Sequence, residues 1–256
     1  MSHWNAAQYL KFQKERTQPA IDLANRIPLS SPESILDIGC GPGNSTQVLA
    51  DRFPHGKILG IDNSQDMIAA ARSQYPELEF ALCDAGRSLS SLGKKFDLVF
   101  SNACIQWIPN HPALLSEMMK LLNPGGVMAV QTPMNYEEPI HRIIATLAES
   151  GQWKEKIGNP RIFYNLTPGG YFDLLSDISS DFTLWNTTYF HRMPSHESIM
   201  EWYKGTGLRP YLNALEGQDR EDFERQVFHE VSKAYPKQKN GEIIFRFPRL
   251  FFMAVK

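Results

Sequence analysis

The residues with the densest capacity for ligand chemistry are Asp37-Ile38-Gly39-Cys40-Gly41-Pro42-Gly43. Glycines at alternate positions permit a tight turn and let a ligand approach the backbone N–H groups closely. Asp62 ends the run Gly60-Ile61-Asp62, about 20 residues beyond Gly41, the spacing at which an acid accepts from both ribose hydroxyls of a nucleotide-like ligand. A third acid, Asp84 in Cys83-Asp84-Ala85, stands where a carboxylate can accept from an exocyclic amine, and Met67 is placed to lie against a flat base. Each also has a plainer reading. The loop could be a structural turn, Asp62 a helix cap, Asp84 a turn carboxylate and Met67 core filler. A dinucleotide fingerprint needs a third glycine where Asn44 stands, which argues against a nicotinamide dehydrogenase.

These residues need strand ends to hold them. Short apolar runs at 34–38, 57–61, 78–82, 96–100 and 127–131 alternate with helical stretches that include 45–53, 66–74 and 112–122. That alternation predicts an α/β fold with a doubly wound, mostly parallel sheet, whose ligands bind beyond the carboxyl ends of the strands. Upstream, 4–16 and 20–27 read as two helices joined near Pro19. Downstream come a helix near 139–149, a Gly/Pro/Asn-rich stretch over 151–170 and a strand at 183–191. Three helical segments within 195–235 precede a final β-rich run at 242–255. Pro248 in that run suits an edge position or a bulge.

The chain has 256 residues, 42% hydrophobic and 21% charged, enough for one large domain. A formal net charge of −2 argues against nucleic acid or anionic membrane as a partner. Cys40, Cys83 and Cys104 lie far apart without metal-ligand spacing, so no metal site is expected and a reducing, cytoplasmic setting is. The start, Met1-Ser2-His3-Trp4-Asn5, lacks the pattern of a signal peptide.

The loop, Gly60-Ile61-Asp62, Cys83-Asp84-Ala85, Phe96-Asp97-Leu98-Val99-Phe100-Ser101-Asn102 and Leu122-Asn123-Pro124-Gly125-Gly126 come in order, each at a strand end. Together they resemble the class I S-adenosylmethionine-dependent methyltransferases. The resemblance implies a Rossmann-like, seven-stranded sheet with an antiparallel last strand, with S-adenosyl-L-methionine as cofactor and S-adenosyl-L-homocysteine as product. It implies Asp37, Gly39, Gly41 and Gly43 near the methionine moiety, Asp62 on the ribose, and Asp84, Ala85 and Met67 near the adenine. Asn102 joins the cofactor contacts, and Arg16 and Tyr9 reach the methionine carboxylate or close the pocket. Outside the core, Trp4-Asn5, Ile105-Gln106-Trp107-Ile108-Pro109, Thr188-Tyr189-Phe190-His191, Thr206-Gly207-Leu208-Arg209-Pro210 and Phe247-Pro248-Arg249-Leu250-Phe251 are similar to the trans-aconitate methyltransferase family. Nothing carries over for about 150–180.

That family forms a monomethyl ester of an unsaturated tricarboxylate. A carboxylate is already nucleophilic at neutral pH, so no general base is required, and positioning in a dry site supplies the gain. The spare carboxylates need arginine partners. If 183–191 is the sixth strand and 242–255 the seventh, 192–241 forms a helical lid beside the ligand end. It accompanies N-terminal helices at 1–30 and a cofactor core at 31–135 in one domain, 1–256. The acceptor residues expected are Arg209, as carboxylate partner, with Tyr189, His191, Trp107 and Trp202; Arg192 lies near them, and Arg246 and Arg249 read as structural. The alternatives are another small-molecule acceptor, deprotonated by His191, His111 or Glu138, and a module that binds the cofactor without turnover.

Overall fold

The structure is a computed structural model that describes residues 13–158 and 163–256. The chain runs α1 (Gln13–Arg26), β1 (Ser34–Ile38), α2 (Asn44–Arg52), β2 (Lys57–Asp62), α3 (Gln65–Gln74), β3 (Glu79–Leu82) and β4 (Phe96–Asn102). It continues with α4 (His111–Lys120), β5 (Leu122–Pro133), α5 (Pro139–Ala148), α6 (Lys154–Ile157), α7 (Pro168–Ile178) and β6 (Phe182–Met193). The last elements are α8 (His196–Lys204), α9 (Arg209–Asn213), α10 (Gly217–Ala234) and β7 (Ile243–Val255). Among the described residues no helix is long and apolar enough to cross a membrane.

The strands form one seven-stranded sheet in the order β3-β2-β1-β4-β5-β7-β6. β1 pairs in parallel with β2 and β4, β2 with β3, and β4 with β5. β7 runs the other way. Gly125 N donates to Lys256 O and Lys256 N to Gly126 O, each at 3.0 Å, whereas Met134 N donates to Pro248 O at 3.0 Å. Rising numbers along β5 therefore meet falling numbers along β7. The end of β7 likewise meets the start of β6, through Val255 N on Asp181 O at 2.9 Å.

The described residues form two compact units. The first takes in residues up to 133, 163–187 and 250–256; the second takes in 134–162 and 188–249. In the first, β1 to β5 carry Ile35, Leu36, Ile38, Ile61, Leu98, Val99, Phe100 and Val127–Val130 as a buried layer, with Leu23, Leu49, Ile68 and Leu115 contributed by helices. Parallel strands covered on both faces need this continuous apolar character. Asp97 ties the lower strand ends together. Its Oδ2 accepts from Glu33 N, Ser34 N and Ser34 Oγ, and its Oδ1 from Asn123 Nδ2 at 2.7 Å. The second unit packs α5 and α10 around Trp153, Tyr203, Phe223 and Phe245, all essentially inaccessible.

Several expectations change. Helix α1 passes through Pro19 without a break. Burial of Ala20, Leu23 and Ala24 offsets the backbone hydrogen bond that the proline removes. Strand β5 begins at Leu122, because the register jumps from Phe96↔Leu122 to Leu98↔Val127 around Asn123–Gly126. Helix α7 starts at the end of the Gly/Pro/Asn-rich stretch over 151–170, at Pro168, and runs on to Ile178. Thr167 caps it by accepting from Gly170 N, and Pro168 takes the first turn, where it lacks no needed donor. Pro248 lies in an interior strand, not at an edge. In an antiparallel ladder a residue's N–H and C=O face the same neighbour. The carbonyl of Pro248 meets Met134, one residue past β5, so its missing donor falls where that ladder ends.

Candidate functional site

Within the first unit, the carboxyl ends of β1, β2 and β4 converge on the glycine loop. Gly39 N and Cys40 N both donate to Ile61 O, at 2.8 and 3.0 Å, extending the β1–β2 pairing into the loop. Gly43 N then donates to Cys40 O at 3.0 Å and closes the turn into α2, whose N-terminus has no side-chain cap. Two glycines are required for different reasons. Gly39 has φ +73°, and a Cβ there would lie 2.2 Å from Cys104 Sγ. Gly41 has φ +55°, but a Cβ there would meet nothing within 4 Å. The first glycine is demanded by packing, the second by backbone conformation over open space.

Asp37 is fully buried between Gly60 and Phe100 on the neighbouring strands. Its Oδ2 accepts from Ser45 Oγ at 2.6 Å and Thr46 Oγ1 at 2.7 Å, while its Oδ1 is buried with no partner among the described residues. Burial raises its pKa from 3.8 to about 6, opposed by the two hydroxyls and helped slightly by the charge of Asp62. Asp62, at the end of β2, accepts from Gly41 N at 3.0 Å and from Ser64 N at 2.9 Å. Burial raises its pKa, and those N–H groups counter the rise. Asp62 thus braces the loop and the start of α3, where Ser64 caps Met67 N and Met67 is buried.

At the end of β4, Asn102 Oδ1 is buried without a partner among the described residues. Ala103 follows at φ +54°, a conformation that costs a residue with a Cβ roughly 1–2 kcal/mol. Strain of this kind gathers at functional sites. Its carbonyl accepts from Gln106 Nε2 at 2.7 Å, and its N–H donates to Gln131 O. Asp84 accepts from Gly86 N at 2.9 Å and so serves the turn after β3; Ala85 beside it is half-buried. Arg16 is buried on α1, whereas Tyr9 lies outside the described residues. Trp107 packs on Phe163, with ring centroids 4.9 Å apart.

The second unit holds the other expected acceptor residues. Tyr189 and His191 stack on β6 with centroids 6.1 Å apart, and Trp202 is buried 5.0 Å from His191. Arg209 is half-buried at the start of α9. Arg192 makes a two-pronged, exposed pair with Glu242. Glu138 faces Arg246 at 3.4 Å. His111, in the first unit, is not poised as a base. Its Nε2 bonds Ile105 O at 2.9 Å and its Nδ1 bonds Tyr171 Oη at 2.7 Å.

Sequence reasoning passed over Ser45 and Thr46, whose only signal was two hydroxyls at a helix start. It also passed over Gln106 and Asn165, linked through Thr132 Oγ1 at 3.3 and 3.2 Å; Arg249, read as structural, is 3% exposed.

The buried, partnerless oxygens of Asp37 and Asn102, at the carboxyl ends of β1 and β4, together with the open space at Gly41, fit a polar, partly cationic ligand. Comparison with known proteins agrees. Residues 29–203 match a family model described as a methyltransferase domain. The chain is 42% identical to the trans-aconitate 2-methyltransferase of Methylobacterium radiotolerans, covering 100% of this chain and 99% of that one. It is 44% identical to the enzyme of the same name from Agrobacterium fabrum, covering 99% of each. In fold it is similar to the YcgJ protein of Bacillus subtilis, with TM-score 0.60 at 15% identity, covering 93% of this chain and 98% of that one. The chain belongs to the class I S-adenosylmethionine-dependent methyltransferases and, within them, to the trans-aconitate methyltransferase family.

Proposed function

We propose that this protein converts trans-aconitate to a monomethyl ester, with S-adenosyl-L-methionine as methyl donor, in the cytoplasm. The observation that carries the reading is the full-length likeness to enzymes named for that acceptor. When bound, the cofactor supplies an electrophilic methyl group on a sulfonium. The chain's own task is then to bind, orient and exclude water, since an ionised carboxylate needs no base to attack.

Asp37 and the backbone of Gly39, Gly41 and Gly43 would hold the methionine end. The free oxygen of Asp37 faces a cationic group at no further cost in burial. Asp62 keeps lone pairs for the ribose hydroxyls beyond its two N–H partners. Met67, Asp84 and Ala85 would flank the adenine, with Asn102 and Arg16 completing the cofactor site. Trp107 would provide an apolar wall near the methyl. Arg209, Tyr189, His191 and Trp202 would receive the acceptor, Arg209 pairing one spare carboxylate.

Incubation with methyl-labelled S-adenosyl-L-methionine and a panel of mono-, di- and tricarboxylic acids tests this. Label on trans-aconitate as base-labile ester is the expected result. Label on a different acid alone rejects the acceptor, and no label on any acid rejects the reaction. Gly41→Ala serves as the control: its Cβ enters open space at φ +55°. The variant should fold, at a cost of about 1 kcal/mol, and bind the cofactor at least tenfold more weakly.

A further inference from the structure

We infer that His111 and Tyr171 are positioning residues for methyl transfer. Their hydrogen bond lets the segment 163–171 pin the loop 103–110, which carries Trp107. The inference rests on the reading of the protein as a carboxylate methyltransferase with Trp107 near the methyl. It gives a role to a segment for which the family resemblance implied none. All of these residues belong to the first unit.

The loop joins β4 to α4 and holds a left-handed residue at each end. Ala103 has φ +54° and Asn110 φ +58°, the two positive values among the described non-glycine residues. Asn110 recovers part of that cost by capping α4, its Oδ1 accepting from Ala113 N at 3.3 Å. Ala103 has no side-chain group to do the same. Backbone of this kind persists only where surrounding contacts over-determine it. The sheet supplies some of them. Ala103 N donates to Gln131 O at 2.9 Å, Gln106 Nε2 donates back to Ala103 O at 2.7 Å, and Thr132 Oγ1 donates to Gln106 Oε1 at 3.3 Å.

The segment 163–171 supplies the rest. Tyr164 N donates to Gln106 O at 3.1 Å, and the Phe163 ring packs on Trp107. Tyr171, fully buried on α7, reaches His111 at the first turn of α4, with Oη 2.7 Å from Nδ1. The other ring nitrogen of His111 lies 2.9 Å from Ile105 O, inside the loop. A carbonyl only accepts, so Nε2 carries the proton, Nδ1 is the acceptor, and the Tyr171 hydroxyl donates to it. Burial pushes the His111 pKa down, against the Ile105 and Ile108 backbone, and the ring is neutral at pH 7. The relay from Tyr171 through His111 to Ile105 thus has one hydrogen-bonding arrangement, and it fixes the loop two residues before Trp107. A transfer that uses no base depends on such fixed placement, because misplacing the reactants is the main way to lose rate.

The test uses the full chain and the variants Tyr171→Phe, His111→Gln and the two combined, all at a temperature where each is folded. Kinetics give kcat and the acceptor KM, calorimetry gives S-adenosyl-L-homocysteine affinity, and hydrogen exchange follows the peptides 103–111 and 163–170. Tyr171→Phe keeps the ring that packs on Phe252 and removes only the donor. It should speed exchange in both peptides and lower kcat/KM for trans-aconitate about tenfold, the scale of one buried acceptor left without its donor. Affinity for S-adenosyl-L-homocysteine should stay near the wild-type value, because Asn102 is held by its ladder partner Gln131. His111→Gln keeps an amide donor for Ile105 O and loses the acceptor for Tyr171, so it should resemble Tyr171→Phe. The double variant should lose no more than either single one, since both break the same bond.

Wild-type kcat/KM in both single variants overturns the inference even where exchange rises, because the bond is then structural only. A loss of cofactor affinity equal to the loss of kcat/KM overturns it too, as do multiplying losses in the double variant. Should Tyr171→Phe not fold, wild-type kcat/KM in His111→Gln overturns it alone. The two failures separate cleanly. If wild type methylates no carboxylic acid, the functional reading falls and takes the positioning role with it. If wild type methylates one and the variants match it, only the positioning role falls.

Discussion

Asp37 combines three properties that ordinary structural aspartates lack: complete burial, two hydroxyl donors on one oxygen and none on the other. Its pKa of about 6 lies above the ordinary 3.8. Folding therefore favours the protonated form. The stability this group contributes is fully present below about pH 4 and is lost as pH rises through about 6. A cationic cofactor favours the ionised form, so binding should expel a proton. Cofactor affinity should rise with pH through about 6 and then level. Calorimetry at pH 5.5 in buffers of different ionisation heat should show proton release that disappears at pH 8 and in Asp37→Asn. Proton uptake, or release unchanged in Asp37→Asn, would remove Asp37 from the cofactor site. The strand-end positions of the loop, Asp62 and Asp84 were legible from their spacing. The hydroxyl clamp of Ser45 and Thr46 was not, since its partner is set by the close approach of α2 and β1.

At the scale of elements, motif residues that resemble a functional signature also do structural work. Asp97 accepts four hydrogen bonds from Glu33, Ser34 and Asn123, and so links the starts of β1, β4 and β5. Burial opposes its ionisation, but the Asn123 amide and the Ser34 and Glu33 donors prevail and hold its pKa below the usual value. Asp97→Ala should destabilise the chain by about 2–3 kcal/mol, the scale of hydrogen bonds to a charged acceptor, while cofactor affinity at low temperature stays unchanged. Denaturant unfolding beside cofactor titration measures both; a loss of affinity with stability intact would move Asp97 into the site. The core strands were legible from short apolar runs bounded by turn residues. The exceptions have local causes. Pro168-Gly169-Gly170 reads as loop until Thr167 caps it, and Pro19 reads as a break until packing outweighs the lost bond.

At the scale of the whole chain, the division into two units separates the proposed roles. Asp37, Gly41, Asp62, Met67 and Asn102 fall in the first unit, and Tyr189, His191, Trp202 and Arg209 in the second. The sequence indicated an insertion at 192–241. It did not show that 134–162, with α5 and α6, belongs with it, because that grouping depends on long-range packing of α5 on α10. Ligand linkage makes the separation measurable. S-adenosyl-L-homocysteine at a hundred times its Kd adds about 2.7 kcal/mol to the state that binds it. At about 2–4 °C per kcal/mol for a chain of this size, that raises the melting midpoint by roughly 5–10 °C. Two compact units need not melt as one, so scanning calorimetry should be read for a second transition. The cofactor product should raise the transition that is also lowered by Asp97→Ala. trans-Aconitate, added alone, should raise the one that is lowered by Phe223→Ala, which opens a cavity in the core of the second unit. If a single transition responds equally to both ligands and both substitutions, the chain unfolds as one cooperative body. If trans-aconitate raises only the transition sensitive to Asp97→Ala, the acceptor's principal contacts lie in the first unit, and Trp107 replaces Arg209 as the residue to pursue.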